Sequence, residues 1–201
     1  MDLSLDTATL SAGFADPVFD SQQVFRSILN AIAYPGRIHR LGRLPAIPDT
    51  LGPAMAAVAL TLCDFETPLW LDQRVATPAA QSYLKFHCGA PFVEETTTAR
   101  FAMITDVAGM PRLSAFSIGE DQYPDRSATL VIEVPALEGG PTRRWAGPGI
   151  PRRLSVGVAG LPAWFWNDWA LNNGLYPMGI DVIFTCGDVV MGLPRGISVE
   201  A

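Results

Sequence analysis

Few side chains in this sequence are suited to nucleophilic or acid–base chemistry. His87 and Cys88 are adjacent, and because an imidazole can deprotonate a thiol, Cys88 is a candidate nucleophile of a thiol hydrolase. Adjacent side chains rarely orient in this way, so a histidine that satisfies a carbonyl at a helix end is the favoured interpretation. Asp64 and Glu66 form a candidate carboxylate pair, but within C-D-F-E-T-P a turn or a helix cap is favoured.

Arginines offer a second kind of chemistry, because a guanidinium group matches phosphate or phosphonate oxygens in a bidentate manner. Arg37, Arg40 and Arg43 are candidates for such contacts, with a solvated or interfacial face as the favoured alternative. Asp181 begins an apolar strand, where a buried carboxylate needs a partner such as Arg195 or an arginine from elsewhere in the chain. A structural ion pair is therefore the favoured role of Asp181.

Aromatic and glycine residues suggest binding rather than catalysis. Trp166 lies in W-F-W-N-D-W, which could stack on a base or a ribose, although packing in a core or an interface is favoured. Gly147 and Gly149 flank a proline, a combination typical of a tight turn or of a backbone that closely approaches a ligand or partner. We predict no catalytic residue. The candidate pocket or interface residues are Arg37, Arg40, Gly147, Gly149, Trp166, Tyr176, Asp181 and Arg195.

The sequence lacks the motifs of common cofactor sites. It has no Walker loop, no G-x-G-x-x-G after a strand and no H-E-x-x-H, and its two histidines exclude a histidine-rich metal site. Three widely spaced cysteines without C-x-x-C predict neither a disulfide framework nor a zinc site. A pyridoxal enzyme needs a Schiff-base lysine, and Lys85, the one lysine, lies on a predicted helix with no sign of that role. We expect no bound cofactor or metal.

Composition indicates one domain with an interaction-prone surface. The chain has 201 residues, 49% of them hydrophobic and 17% charged, which favours burial of part of the surface in an oligomer or complex. The net charge of −6 without a basic stripe disfavours nucleic-acid binding. There is no secretory signal pattern and no apolar run near the ~20 residues that cross a bilayer, so we expect a cytoplasmic protein without a membrane partner.

Periodicity and turn residues predict alternating helices and strands, hence an α/β class. Residues 1–18 are predicted to form an N-terminal arm, and residues 19–201 a single domain. The first predicted helix begins at a cap of Asp20 or Ser21 and stops at Pro35-Gly36. Two more run from Thr50 to Cys63 and from a Thr77 cap to near Gly89. A fourth opens at Pro162, and Asn172-Asn173-Gly174 is predicted to supply the left-handed residue that ends it.

Strands are predicted between these helices. They cover residues 37–44, 68–71 as an inner strand, 101–105, 128–134, 154–158 and 180–185, with 189–191 as a hairpin partner of the last. The segment from Gly109 to Pro124 is predicted to be a loop that could close over a pocket.

Several motifs occur in one order from about Phe19 to Arg195, nearly the whole chain. They are F-R-S-I-L-N-A-I-A-Y-P-G-R, A-L-T-L-C-D-F-E-T-P-L-W-L-D, F-H-C-G-A-P, G-P-G-I, F-W-x-x-W, N-x-x-Y-P-x-G-I-D and L-P-R. In this arrangement the sequence resembles the PhnH family, a subunit of the bacterial carbon–phosphorus lyase system for phosphonate use.

The resemblance implies a three-layer mixed-sheet α/β fold similar to the large domain of pyridoxal-phosphate-dependent transferases, without the cofactor. It implies a required subunit with no catalytic centre of its own, which forms a homodimer when isolated and assembles with PhnG, PhnI and PhnJ. The complex would form α-D-ribose 1-methylphosphonate 5-triphosphate from ATP and an alkylphosphonate, with loss of adenine. The alternatives are a stand-alone small-molecule-binding module and a degenerate pyridoxal-type transferase.

Overall fold

A six-stranded mixed β-sheet lies at the centre of the structure, a computed structural model that describes residues 13–42, 44 and 46–201. Helices in these residues are α1 (Pro17–Ala33), α2 (Pro53–Leu62), α3 (Pro78–Cys88) and α4 (Phe165–Asn173). Strands are β1 (Ile38–Arg40), β2 (Leu69–Leu71), β3 (Phe101–Ile104), β4 (Thr129–Glu133), β5 (Arg143–Ala146), β6 (Leu154–Val156), β7 (Asp181–Cys186), β8 (Val189–Leu193) and β9 (Ser198–Glu200). The predicted α/β class is confirmed.

The large sheet has the strand order β1-β8-β7-β4-β3-β2. Strands β7, β4, β3 and β2 are mutually parallel, whereas β8 and β1 are antiparallel to their neighbours. The hairpin between β7 and β8 is confirmed, and its turn contains Gly187 with a φ of 56°. The prediction that β2 is an inner strand is wrong: it lies at the edge, where only a single bridge from Leu69 to Phe92 continues the pairing.

Both faces of the central strands are apolar, so the sheet is covered on both sides. In β7, Ile183 packs on one face, and Val182 and Phe184 pack on the other. Helices α1, α2 and α3 contribute to the core on the Ile183 face. Helix α4 and a small antiparallel sheet of order β6-β5-β9 cover the opposite face, which gives three layers.

Helix α1 begins earlier than the sequence predicted. Its N-cap is Asp16, whose Oδ1 accepts hydrogen bonds from the backbone N–H groups of Val18 and Phe19 at 3.2 and 3.0 Å. Pro17 occupies the first turn, where its missing N–H costs nothing. The predicted cap at Asp20 or Ser21 is therefore wrong. Of the predicted N-terminal arm, residues 1–12 lie outside the described residues, and Pro17 and Val18 belong to α1.

The predicted caps are confirmed for α3, whereas the predicted start and end of α4 differ from the structure. Helix α3 has the predicted Thr77 cap and ends at Gly89 in the left-handed region, with a φ of 68°. Helix α4 begins at Phe165 rather than at Pro162. The prediction of a left-handed residue in Asn172-Asn173-Gly174 is wrong: Gly174 has φ and ψ of −65° and −15°, and neither asparagine has a positive φ.

The small sheet was only partly predicted. Strand β6 was expected, but β5 and β9 were not, because Arg143, Arg144 and Glu200 give these short segments a polar composition. Trp145 in β5 is fully buried and anchors the small sheet to the α4 layer. No helix in the described part of the chain is long and apolar enough to span a membrane.

Candidate functional site

Arg195 and Asp181 form the strongest polar cluster among the residues predicted from sequence. Asp181 is the first residue of β7, and its Oδ1 accepts hydrogen bonds from the backbone N–H and the Nε of Arg195 at 2.8 and 3.1 Å. The guanidinium group also donates to the carbonyl of Pro124 at 2.7 Å and to the hydroxyl of Ser127 at 2.5 Å. The predicted ion pair is confirmed, and it joins β7 to the loop that precedes β4.

Helix α4 fixes the position of this cluster. The Asn172 side chain accepts from the Ile180 N–H at 2.8 Å and donates to the Ile180 carbonyl at 3.0 Å, just before β7 begins. Asn173 donates to the Arg195 carbonyl at 2.8 Å. Tyr176 lies next to these bonds and is 66% exposed. The aspartate–arginine pair is thus held by the helix, and the Tyr176 ring remains available at the surface.

Gly147 and Gly149 form the predicted tight turn, with φ values of 147° and 82° and a hydrogen bond from the Ile150 N–H to the Gly147 carbonyl. The backbone does approach another group closely, but that group belongs to this chain. A Cβ at Gly149 would lie 2.1 Å from the carbonyl oxygen of Ala33, at the end of α1. A Cβ at Gly147 would lie 2.8 Å from the carbonyl oxygen of Gly196. The turn therefore joins α1 to the segment that carries Arg195.

The predicted arginines do not form one group. Arg40 pairs with Asp188 beside the β7–β8 turn, and Arg43 lies outside the described residues. Arg37 instead lines a cleft of about 290 Å³ whose other side is the segment Gly149–Leu154, which includes Arg152 and Arg153. The structure thus places Arg37 with Gly149 and with two arginines, Arg152 and Arg153, that were not among the predicted site residues.

Trp166 contributes mainly to packing. Its ring makes edge contacts with Trp145 and Phe165, at centroid distances of 6.2 and 5.1 Å. Trp166 is half-buried, whereas Trp169 is fully buried and donates from Nε1 to the Ile197 carbonyl at 2.9 Å. These contacts attach α4 to the small sheet.

A large cavity lies at the carboxyl ends of β2 and β3, a region that was not among the predicted sites. It has a volume of about 820 Å³ and is lined by the following residues, among others: Trp70, Asp72, Gln81, Phe92, Glu94 and Asp106. Ligands in open α/β sheets commonly bind at the carboxyl ends of strands. The sequence signal was available, because Asp72 follows β2 directly and Thr105-Asp106 follows β3.

Asp72 shapes this cavity from a buried position, with 5% of its surface exposed. Its carboxylate accepts four backbone hydrogen bonds, from Arg74, Val75, Thr105 and Asp106, at 2.6 to 2.9 Å. Because so many donors surround it, Asp72 fixes the loops after β2 and β3 relative to each other.

A neighbouring cavity of about 530 Å³ lies between β3, β4 and the start of α2. Glu133, the last residue of β4, faces it and accepts a hydrogen bond from the Thr185 hydroxyl at 2.8 Å. Burial raises the pKa of the Glu133 carboxyl, while hydrogen bonds from Thr185 and the Gly187 backbone oppose that rise. Gly52 leaves space for this carboxylate, since a Cβ there would lie 2.1 Å from Glu133 Oε2.

Arg112 and Asp168 form a second ion pair that the sequence analysis missed. Arg112 Nε donates to Asp168 Oδ2 at 2.7 Å, and its guanidinium group lies 4.8 Å from the Trp164 ring. The hydrogen bond from Arg112 lowers the pKa of the Asp168 carboxyl. This pair fastens α4 to the loop after β3, so the loop predicted to close over a pocket is held in place at Arg112.

The residues considered as catalytic candidates make hydrogen bonds that stabilise turns and helices. Asp64 accepts from the Glu66 N–H and the Thr67 hydroxyl at 2.9 and 2.7 Å, which confirms the predicted turn. The Cys88 thiol donates to the Ala59 carbonyl at 3.5 Å, and burial raises the pKa of that thiol to about 12. Lys85 Nζ donates to the Gly89 carbonyl at the end of α3. The described residues contain no group of three or more histidine, cysteine or acidic side chains able to hold a metal.

Known proteins provide an independent comparison. The family "Bacterial phosphonate metabolism protein (PhnH)" matches residues 12–200. A curated relative from Rhizobium meliloti (strain 1021), "Alpha-D-ribose 1-methylphosphonate 5-triphosphate synthase subunit PhnH", is 44% identical over 190 residues, 94% of this chain and 95% of the relative. "Putative C-P lyase subunit protein HtxG" from Stutzerimonas stutzeri is 28% identical over 174 residues, 87% of this chain and 83% of that protein. By the extent of these matches, the chain belongs to the PhnH family of bacterial phosphonate metabolism proteins.

Proposed function

We propose that this chain is a subunit of an α-D-ribose 1-methylphosphonate 5-triphosphate synthase and contributes no catalytic centre of its own. In this reaction an alkylphosphonate displaces adenine from the ribose of ATP. The observation that carries the proposal is the 44% identity to the Rhizobium meliloti subunit over nearly the full length of both chains. The subunit's contribution is then assembly of the complex and positioning of its partners.

The surroundings of the candidate nucleophiles support a non-catalytic role. The raised pKa of Cys88 leaves little thiolate at neutral pH, and the thiolate is the reactive form. Lys85 is exposed, donates to a helix-end carbonyl and lines neither the 820 Å³ cavity nor the 530 Å³ cavity. A Schiff-base lysine needs to face a site that encloses its cofactor.

The outer side of α1 supports assembly with partner subunits. Three large apolar side chains, Val18, Phe25 and Leu29, recur at spacings of seven and four residues and are 81%, 48% and 54% exposed. We name these three residues the outer stripe of α1. Helical residues at these spacings share one face, and exposed apolar side chains of this size are common at subunit contacts. We propose that the partners are a second copy in the isolated protein, and PhnG, PhnI and PhnJ in the complex.

Two further parts of the proposal concern scaffold and location. The mixed sheet with three helices on one face supports the kinship with the large domain of pyridoxal-phosphate-dependent transferases. The proposed reaction consumes ATP, and the three cysteines form no disulfide. Both features suit a cytoplasmic complex. We also propose that the chain from α1 to β9 forms a single domain.

The test is reconstitution. The chain is co-expressed with tagged PhnI and untagged PhnG and PhnJ, and formation of the ribose phosphonate from ATP and methylphosphonate is followed by ³¹P NMR. We expect copurification, activity of the full assembly, and no conversion by the isolated chain. Conversion by the pure isolated chain would overturn the non-catalytic role, and failure to copurify would overturn the assembly role.

The 820 Å³ cavity favours a second candidate function, that of a small-molecule-binding module. Its lining combines the aromatic rings of Trp70 and Phe92 with the amide of Gln81, which suits an uncharged ring rather than a phosphate. A ligand retained by the purified chain in native mass spectrometry, and lost in Gln81→Trp, would support this function. Absence of any ligand, together with copurification of the sister subunits, would favour the first proposal.

A further inference from the structure

We propose that the cleft between Arg37 and the segment Gly149–Leu154 is a binding site for a small anion with phosphate- or phosphonate-type oxygens. We name this feature the arginine cleft; Arg37, Arg152 and Arg153 are its charged lining residues. The proposal concerns a ligand of this chain itself and does not depend on its role in the synthase.

The size of the cleft limits the ligand. Its volume of about 290 Å³ lies at the lower end of the range of roughly 300 to 1,000 Å³ typical of small-molecule pockets. Besides the arginines, the lining consists of prolines, glycine and aliphatic side chains, so the guanidinium groups supply its side-chain hydrogen-bond donors. An anion of one or two phosphate-sized groups fits both the volume and the donors.

The cleft is positively charged, whereas the chain as a whole is negatively charged. The chain has a net charge of −6 and only 14 lysines and arginines, yet three arginines surround this one cleft. Two carboxylates lie in the neighbourhood. Glu200 is 3.4 Å from Arg153, and Glu138 lines an adjoining cavity together with Arg37. Three cations against these two carboxylates leave a local positive charge for an anion to neutralise.

Several arginines outside the cleft have aspartates as partners, whereas Arg37 and Arg152 do not in the part of the chain that the structure describes. Arg40, Arg112 and Arg195 each pair with an aspartate. Arg37 and Arg152 form no ion pair with any residue within the described ranges. Unpaired guanidinium groups retain their fork of N–H donors for a tetrahedral anion.

Arg37 is also oriented. Its guanidinium carbon lies 5.1 Å from the centroid of the Tyr34 ring, a cation–π distance. This contact involves no hydrogen bond, so it restrains Arg37 without occupying its N–H donors.

The opposite wall of the cleft is fixed by its backbone. Gly149 lies against the Ala33 carbonyl, and the Ile150 N–H donates to the Gly147 carbonyl at 3.1 Å. Because this segment cannot shift freely, the two arginines that follow it are presented from a constrained loop, which reduces the entropy lost on binding. The negative end of the α1 dipole is nearby and disfavours an anion, so we expect binding to require more than one arginine.

The experiment uses the pure full-length chain and titrates pyrophosphate at low ionic strength by calorimetry. We expect millimolar or tighter binding, weakened at least fivefold in Arg37→Gln and in Arg152→Gln, and weakened again by 0.3 M salt. Arg126→Gln is the matched control, because Arg126 also stacks on a tyrosine, 4.0 Å from the Tyr123 ring, but lies outside the cleft. Circular dichroism checks that each variant is folded.

Separate titrations distinguish the sources of the anion. Methylphosphonate represents a phosphonate, pyrophosphate represents the phosphates of a nucleotide, and acetate tests a carboxylate. Tighter binding of either phosphorus anion than of acetate supports the site and identifies its source. The proposal fails if wild-type protein binds neither phosphorus anion, if acetate binds equally well, or if Arg126→Gln weakens binding as much as Arg37→Gln.

Discussion

At the scale of single residues, arginine–aspartate contacts hold distant parts of this chain together. Arg195 reaches Asp181, Pro124 and Ser127, and it connects β7 with the loop before β4. Only 15% of the Arg195 side chain and 23% of the Asp181 side chain are exposed. The Arg195–Asp181 pair is shielded from water, whereas the pair of Arg153 and Glu200 is exposed and therefore more strongly screened.

Arg195→Ala is expected to lower the free energy of unfolding by about 2 to 4 kcal/mol, because it leaves a largely buried carboxylate without its partner. Arg153→Ala serves as the control, since Arg153 and Glu200 are 60% and 51% exposed, and we expect a loss below about 1 kcal/mol. Urea unfolding followed by tryptophan fluorescence measures both. Equal losses in the two variants would contradict the structural role of Arg195.

Glu133→Gln is expected to stabilise the protein at pH 7 relative to wild type. Burial raises the pKa of the folded carboxyl, so this group binds more protons in the folded state than in the unfolded state. Its contribution to the stability of the wild type therefore falls as pH rises above about 4.3. Glutamine stays neutral and can still accept from the Thr185 hydroxyl. The gain should therefore disappear near pH 4.

Unfolding curves of Glu133→Gln and wild type at pH 4 and pH 7 test this expectation. Glu138→Gln removes one negative charge from an exposed position and controls for the change in net charge. A gain for Glu133→Gln that is the same at both pH values, or that Glu138→Gln reproduces, would argue against a burial effect.

Residue chemistry could be predicted from sequence where the partners are dictated by local context. Asp181 at the start of an apolar strand required a cation, and the sequence left open whether Arg195 or another arginine supplies it. Arg112 and Asp168 are 56 positions apart with no local signal, so only the folded chain reveals their pairing. For the same reason Arg37 could not be matched with Arg152 and Arg153.

At the scale of elements, the turn at residues 147–149 decides how α1 meets the small sheet. Gly149 and Gly187 both have a positive φ, but they differ in their surroundings. A Cβ at Gly149 meets the Ala33 carbonyl oxygen, whereas a Cβ at Gly187 has no heavy atom within 4 Å. Alanine substitutions at the two glycines can therefore be compared: both carry the cost of a positive φ, and only the one at Gly149 adds the cost of a steric clash.

Gly187→Ala is expected to lower the free energy of unfolding by about 1 to 2 kcal/mol, the conformational cost alone. Gly149→Ala should lower it by roughly 2 kcal/mol more, because the end of α1 must also move away. Thermal and urea unfolding of the two variants measure the difference. If Gly149→Ala were no more harmful than Gly187→Ala, the close approach to α1 would have no energetic weight.

Element types were predictable where cap and periodicity agreed, as at Thr77 and Gly89 of α3. Element positions in the sheet were not. β2 has the apolar composition of an inner strand, yet it lies at the edge, where the segment from Pro91 to Val93 pairs with Leu69. Strand β9 pairs with β5, more than 50 residues earlier, and no local pattern encodes that partner.

At the scale of the whole molecule, the described surface divides by chemistry. The carboxyl ends of the parallel strands carry the large, acid-lined cavity, the arginine cleft lies beside the start of β1, and the outer stripe lies along α1. Under the proposed function, a subunit partner covers the stripe. Family membership and the α/β class were predictable from sequence, whereas the locations of these three surfaces depended on topology.

Phe25→Asp is expected to weaken self-association and capture by the sister subunits at least tenfold, because a charge would be buried in an apolar contact. Phe65→Asp is the matched control, since Phe65 is 73% exposed and lies off α1. Light scattering after size exclusion and copurification measure the two effects. If Phe25→Asp assembled like wild type, or if Phe65→Asp impaired assembly equally, the outer stripe would not be the contact.

The pairing of β4 with β7 has a kinetic consequence. These neighbouring strands join Thr129 to Asp181, and the chain between them forms β5, β6 and α4. A long loop must close before this buried pairing of the sheet can form. The chain therefore loses the conformational entropy of loop closure before the contacts between β4 and β7 lower its free energy. We therefore expect slower folding than in a helical bundle of this length, with core truncations in β4 retarding the folding step itself.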